Sequence, residues 1–202
     1  MRIVRPSVTL VCSTPDLERV VEHMGRVCYQ STHKVTETSA PGFIRMVIQR
    51  GHESVLEHAS VGFLVVTDRG VTHELVRHRT ASFSQESPRY CNYAKDQFGG
   101  ELLFVQPLGL EGMALAQWIE HMGAFESTYL WLIKQGTPPE IARSVLPNSL
   151  KAELGVTCNI REWRHFLRLC TSPKAHPQMR EVAELIRSEL LKLSTPCFED
   201  IP

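Results

Sequence analysis

The chain has 202 residues with 22 basic and 22 acidic side chains, so its formal net charge is zero. Without a net positive field, nucleic acid and anionic membranes are not expected as partners. The most apolar stretch, Ala59–Val66, is far shorter than the roughly 20 residues that span a bilayer. The apolar run Val8–Cys12 near the start is too short for the core of a signal peptide. We therefore expect a cytoplasmic protein without a membrane helix.

Periodicity and turn residues predict strands alternating with helices along the chain. A strand at 8–12 precedes a helix for which Thr14 is the expected N-cap and Pro15 the first residue. A helical apolar face leads into Arg77–Arg79, a serine-rich turn is expected after it, and Pro88 favours an extended conformation beyond that turn. The remaining strands are expected at 59–67, 102–105 and 149–157, and the remaining helices at 42–50, 70–79, 112–135, 138–145, 159–170 and 176–193. No Pro/Gly/Ser-rich linker interrupts them, so we predict one mixed α/β domain over 1–202, a sheet flanked by long helices.

The segment from Arg77 to Arg89, RHRTASFSQESPR, carries three arginines, a histidine and three serines. The arginines have no carboxylate four residues further on, the usual partner on a helix. A guanidinium presents a planar fork of donors that matches phosphate or carboxylate oxygens, and serine hydroxyls add small donors. A solvated basic loop is the simplest interpretation, but the combination favours anion recognition.

A second cationic stripe is predicted on the helix that begins near Asn159. Arg161, His165 and Arg168 fall on one helical face, while apolar residues make the other. Asn159 is suited to the N-cap and Glu162 to a capping box, which by itself would be a purely structural role. No G-x-G-x-x-G or G-x-x-x-x-G-K-[ST] motif occurs, so arginines and helix ends would have to hold any dinucleotide.

The first segment closely resembles the signature of the flavin-dependent thymidylate synthases. The matching residues are Arg77, His78, Arg79, Ser82, Ser87, Arg89 and Tyr90. Three further stretches resemble the family: one with His52, Ser54, Glu57 and His58, one around Ala142 and Arg143, and one with Asn159, Arg161 and His165. The resemblance implies a thymidylate synthase-complementing fold and a homotetramer whose sites are shared between subunits.

The resemblance also implies an activity and a set of ligands. Members reductively methylate dUMP to dTMP, using FAD, NADPH and 5,10-methylenetetrahydrofolate. The residues implied for the flavin are Ser54, Arg77, His78, Arg79, Gln85, Asn159, Arg161 and His165. Those implied for the nucleotide are Glu74, Arg77, Gln85, Ser87, Arg89 and Arg143.

The chain departs from the family at two positions. Cys170 stands where the synthases carry an arginine that grips and helps to ionise the uracil, and a neutral thiol cannot replace a guanidinium. Gln85 stands where the family often has a glutamate. Three explanations follow: another substrate such as UMP, a cation supplied by Lys174 or Arg168, or a protein that binds its ligands with little turnover. A flavoprotein that only carries electrons and a non-catalytic nucleotide-binding protein are the rival classes.

No metal site is predicted. The histidine pairs His52/His58 and His73/His78 are six and five residues apart, whereas a helical zinc pair needs a spacing of four. The six cysteines are scattered without a C-x-x-C pair, which argues against a zinc site or a disulfide framework.

Overall fold

The computed structural model describes all residues from 1 to 202. About half of them are helical and 18% lie in strands, which confirms the predicted mixed α/β class. The strands are β1 Arg2–Val4, β2 Ser7–Ser13, β3 Ser60–Asp68, β4 Ala81–Gln85, β5 Leu103–Val105 and β6 Lys151–Asn159. The helices are α1 Leu17–Val27, α2 Ala40–Gln49, α3 Arg69–Leu75, α4 Gly112–Lys134, α5 Pro139–Ala142, α6 Ile160–Cys170, α7 Pro177–Leu193 and α8 Thr195–Phe198.

The strands form two sheets. The larger has the order β2-β3-β6-β4, so β2 and β4 are its edge strands. The smaller pairs β1 with β5 in parallel, with Arg2 opposite Leu103. A 3₁₀ helix, Glu53–His58, leads into β3. No helix is long and apolar enough to cross a membrane.

The chain forms two compact units. The first comprises Met1–Ser7, Val65–Arg77 and Ser84–Leu154, and the second comprises Val8–Leu64, His78–Phe83 and Gly155–Pro202. That residues 1–202 act as one domain stays a prediction.

The first unit has its own hydrophobic core beneath helix α4. Its buried members are Tyr93, Leu102, Phe104, Met122, Tyr129, Ala142 and Leu150. The Tyr129 hydroxyl accepts a hydrogen bond from the backbone N–H of Tyr93 at 3.3 Å, which ties the helix to the loop after the signature segment. Burial thus fixes the loop that follows Arg89.

In the second unit, helix α6 packs on β3 through its apolar face. The Trp163 ring meets Phe63 edge to face at 5.2 Å, and its indole N–H donates to the Val61 carbonyl at 3.0 Å. Asn159 is the N-cap, because its Oδ1 accepts from the Glu162 N–H at 2.9 Å. Since the buried face anchors the helix, the opposite face with Arg161 and His165 is left exposed, as predicted.

Three local predictions were wrong in detail. Thr14 does not cap helix α1: its hydroxyl accepts from the Ser60 N–H at 2.9 Å, and Asp16 occupies the N-cap at φ 47°. Helix α3 ends at Leu75, so Arg77–Arg79 follow the helix instead of finishing it. The serine-rich stretch expected as a turn is itself a strand, β4, because it pairs with β6.

Candidate active site

A cavity of about 420 Å³ in the second unit gathers the residues of the second cationic stripe. Asn159, Arg161, His165 and Arg168 line it together with Thr80 of the signature segment and with Glu53, Glu57 and Glu162. The structure therefore brings together the three flavin residues expected at the start of α6 with the signature segment. Arginine forks, an imidazole and a side-chain amide offer donors to a hydrogen-bonding ligand, but three carboxylates line the same cavity and two of them pair with the arginines, so an anionic ligand would have to displace a carboxylate.

Ion pairs position the arginines of this cavity. Arg161 pairs with Glu57 at 2.5 Å, and Arg168 pairs with Glu53 at 2.8 Å. The first pair is about half exposed on both sides, so it is weak and an anionic ligand can displace Glu57 from Arg161. Burial opposes ionisation of Glu53, but Arg168 and the fully buried Arg164 outweigh it and lower the pKa of that carboxyl.

His78, the centre of the signature, is largely buried against helix α6. Its Nδ1 lies 3.7 Å from Glu162, its Nε2 lies 3.7 Å from the Cys170 sulfur, and its ring meets Phe166 edge to face at 5.0 Å. Burial lowers the pKa of His78, Glu162 opposes this shift, and His165 adds to it. The ring is therefore neutral at physiological pH and offers one donor and one acceptor.

His78, Glu162 and His165 each bring one potential metal-ligand atom within 4.8 Å of the others. Two histidines and one carboxylate form a set that divalent transition metals accept. This set differs from both histidine pairs considered in the sequence, because it joins two segments that are distant along the chain. The absence of a metal stays a prediction.

Cys170 ends helix α6 and is buried, with its sulfur facing His78. Of the two cations considered as replacements for the family's arginine, Arg168 is engaged by Glu53 and also approaches Asp200 at 3.8 Å. Lys174 is exposed and its side chain makes no ion pair within the chain. Lys174 is thus the freer of the two.

The predicted nucleotide residues lie in the first unit, where two of them meet. Arg89 pairs with the Glu140 carboxylate at 3.2 Å, and the Arg143 Nε donates to the Glu140 carbonyl at 3.3 Å. Both guanidinium groups are exposed, and both interact with Glu140 at the start of helix α5. Gln85 donates to the Thr72 hydroxyl at 2.8 Å.

Other predicted residues are less constrained. Glu74, Arg77 and Arg79 are exposed and have no side-chain hydrogen bond or ion pair within the chain. The Ser87 hydroxyl accepts from the Arg89 N–H at 3.3 Å and is half-buried. Ser54, predicted as a flavin contact, lines a different cavity of the same unit from that of Arg161 and His165.

Sequence reasoning missed two charged groups that shape these surroundings. Glu86, next to Gln85, accepts from the Tyr93 hydroxyl at 2.7 Å and from Lys151 at 3.0 Å. Arg164 lies on the apolar side of α6, fully buried, and donates to both Asp200 oxygens at 2.7 Å. The only available signal was an arginine at an apolar position of the helix, which implies a distant carboxylate that the sequence does not locate.

Comparison with known proteins connects this arrangement to a family. The family model described as "Thymidylate synthase complementing protein" matches residues 9–195. The flavin-dependent thymidylate synthase of Mycobacterium sp. (strain JLS) is 34% identical over 205 residues, covering 90% of this chain and 78% of the relative. That of Geobacter sulfurreducens is 35% identical over 190 residues, covering 89% and 80%.

A solved structure matches over nearly the whole length. The crystal structure of a UMP/dUMP methylase, PolB from Streptomyces cacaoi, bound with 5-Br dUMP, has a TM-score of 0.80 at 28% identity, covering 98% of this chain and 96% of that one. A mixed α/β enzyme fold with a polar cavity lined by two arginines, three glutamates and a histidine is thus what the comparisons and the site define. The chain belongs to the thymidylate synthase complementing family, that of the flavin-dependent thymidylate synthases, which confirms the resemblance and the prediction of an enzyme of this methyltransferase class.

Proposed function

We propose that this chain catalyses the reductive methylation of dUMP to dTMP, with FAD as cofactor and NADPH and 5,10-methylenetetrahydrofolate as co-substrates. The observation that carries the proposal is the cavity in which Asn159, Arg161 and His165 meet the signature segment at Thr80. Family membership supplies the reaction class.

The donor set of the cavity fits a flavin. When bound, a flavin would supply the hydride chemistry of the methylation. Arg161 would exchange Glu57 for a phosphate, Asn159 and His165 would provide hydrogen bonds, and His78, whose pKa is lowered by burial, would stand behind Glu162 and His165. Ser54, Arg77, Arg79 and Gln85 complete the proposed flavin set.

The nucleotide would be held by Glu74, Arg77, Gln85, Ser87, Arg89 and Arg143. Arg89 and Arg143 already converge on Glu140, which supports a monophosphate site made of two forks. We further propose a cytoplasmic homotetramer with shared sites. Helix α4 supports an assembly, because it exposes Met113 at 90% and Trp131 at 59%.

A second substrate, UMP, is favoured by two observations. Cys170 stands where the family has its uracil-binding arginine, and the solved relative is titled a UMP/dUMP methylase. The loss of the uracil-activating arginine would then accompany the acceptance of ribose in place of deoxyribose.

Product analysis tests both activities. The purified protein, incubated with FAD, NADPH and 5,10-methylenetetrahydrofolate, should convert dUMP or UMP to the 5-methyl nucleotide, measured by chromatography. NADPH oxidation that is independent of the nucleotide would indicate an electron-carrying flavoprotein instead. A colourless protein that binds dUMP without product would indicate a non-catalytic binding protein.

A Cys170→Arg variant, compared on both nucleotides, should shift the preference toward dUMP.

A further inference from the structure

Glu86 is a largely buried carboxylate within the segment that carries the proposed nucleotide residues. It follows Gln85, the last residue of β4, and precedes Ser87, and both of these neighbours belong to the proposed nucleotide set. Its side chain is only 15% exposed. Carboxylates are seldom buried to this extent unless they are paired and hydrogen-bonded, so the contacts of Glu86 should define the conformation of the segment.

Both carboxylate oxygens of Glu86 are occupied. One accepts from the Tyr93 hydroxyl at 2.7 Å, and the other accepts from the Lys151 ammonium at 3.0 Å and from the Glu153 N–H at 3.1 Å. The Glu86 N–H in turn donates to the Glu153 carbonyl at 2.8 Å. Four hydrogen bonds thus fix this residue through its backbone and its side chain, and two of them involve a charged or phenolic donor.

The protonation states of this cluster match its hydrogen bonds. Burial opposes protonation of Lys151, but Glu153 and Glu86 outweigh it and raise the pKa of the ammonium group. Burial raises the pKa of Tyr93, and Glu86 adds to this shift, so the phenol keeps its proton and donates it to the carboxylate. The cluster therefore keeps its charged and hydrogen-bonded form at physiological pH.

The residues on the two sides of Glu86 are held differently. Successive residues of a strand project to opposite faces, and Gln85 reaches the Thr72 hydroxyl of α3 at 2.8 Å, whereas Glu86 reaches β6. Gln85 therefore has an attachment of its own. Ser87 and Arg89 contact each other, because the Ser87 hydroxyl accepts from the Arg89 N–H at 3.3 Å, and the nearest buried attachment before them is Glu86.

We propose that Glu86 is the positioning residue of the nucleotide subsite, and that it orients Ser87 and Arg89 through its bonds with Tyr93 and Lys151. The inference rests on the proposed function, which assigns Ser87 and Arg89 to the nucleotide. Glu86 itself faces the protein interior and touches no ligand. Its loss should therefore weaken nucleotide binding by displacing the residues that follow it.

Nucleotide binding by single variants of the full chain tests this role. Glu86→Gln keeps the shape of the side chain but loses its charge and one acceptor, so the dUMP dissociation constant should rise at least about tenfold, measured by calorimetry. The matched control is Glu153→Gln, because this half-exposed carboxylate also pairs with Lys151, at 2.6 Å, but lies outside the nucleotide segment. The control should change the constant by less than about twofold.

A double variant separates positioning from stability. Glu86→Gln leaves the Lys151 ammonium with a single, half-exposed partner, so the urea midpoint should fall. In Glu86→Gln/Lys151→Met the buried ammonium is gone and the midpoint should recover, whereas the dUMP constant should stay raised because the bonds that fix the segment are still missing. Recovery of both the midpoint and the affinity would show that Glu86 acts on stability alone and would overturn the proposal.

The remaining outcomes separate this inference from the proposed function. An unchanged dUMP constant in Glu86→Gln, or an equal rise in Glu153→Gln, overturns the inference and leaves the proposed function intact. Weaker binding in Glu86→Gln, in a protein that forms no methylated nucleotide, supports the inference and contradicts the proposed function. A wild-type protein that binds neither dUMP nor UMP contradicts both.

Discussion

Arg89 is the residue whose proposed role is most directly measurable. Its guanidinium is exposed and faces Glu140, so it can exchange a carboxylate for a nucleotide phosphate without reorganising the core. Arg89→Ala should weaken dUMP binding by about 1.5 to 3 kcal/mol, roughly tenfold to a hundredfold, measured by calorimetry. Arg45→Ala removes an equally exposed arginine–glutamate pair and should leave the dUMP dissociation constant unchanged. An unchanged constant in Arg89→Ala would remove this residue from the site.

His78 should make stability depend on pH in a defined direction. Burial lowers its pKa in the folded chain below the ordinary value of 6.5, so the unfolded chain binds this proton first as pH falls. The free energy of unfolding should therefore drop as pH decreases below about 6.5 and level off below the folded-state pKa. Urea unfolding at several pH values, with flavin content matched, should show a smaller drop in His78→Gln. Equal drops in both proteins would refute the assignment.

At the scale of elements, alanine substitutions at two helical glycines are expected to change the stability of the protein in opposite directions. A Cβ at Gly25 in α1 would lie 2.6 Å from the buried Phe43 ring, whereas a Cβ at Gly42 in α2 would meet nothing within 4 Å. Gly25→Ala should destabilise the protein by about 1 to 3 kcal/mol through overpacking. Gly42→Ala should stabilise it by about 0.5 to 1 kcal/mol through helix propensity. Thermal or urea unfolding measures both, and a Gly25→Ala variant as stable as the unchanged protein would show that the packing at Gly25 is misassigned.

Local patterns predicted the elements better than their connections. Helix α6 was predictable because its cap, its apolar face and its cationic stripe all lie within twelve residues, and Asn159 caps it as expected. The strand β4 was not, because only two of the five residues in Ala81–Gln85 are apolar and the segment becomes a strand by pairing with β6. Thr14 was misassigned for the same reason, since its partner Ser60 is 46 residues away.

The candidate site shows the same difference between local patterns, which the sequence reveals, and contacts between distant segments, which it does not. Motif spacing identified Arg161, His165 and Asn159, which share one cavity. It named Glu57 but did not identify it as the partner of Arg161, because the two residues lie 104 positions apart in the chain. Ion pairs between distant segments leave no periodic signal in a single sequence, so such partners become visible only in the folded chain.

For the whole molecule, the exposed apolar surface predicts self-association. In the 23-residue helix α4 only Met122 and Tyr129 are buried, which leaves large apolar side chains such as Trp131 uncovered. Light scattering should give the mass of four 22.9 kDa chains. Trp131→Lys should shift the mass toward smaller species if α4 lies in the interface, while the equally charged change Leu169→Lys on α6 provides a surface control. A monomeric wild-type protein at micromolar concentration would contradict the tetramer.

The proposed function requires that the protein binds a flavin and a pyrimidine nucleotide at the same time. The most direct measurement is a titration of the flavin-bound protein with dUMP, followed through the flavin absorption near 450 nm. We predict a saturable perturbation of the flavin spectrum with one nucleotide per flavin, which is lost in Arg89→Ala at the same dUMP concentration. A protein that purifies and reconstitutes without flavin, or that binds dUMP with no change in the flavin spectrum, would contradict the account.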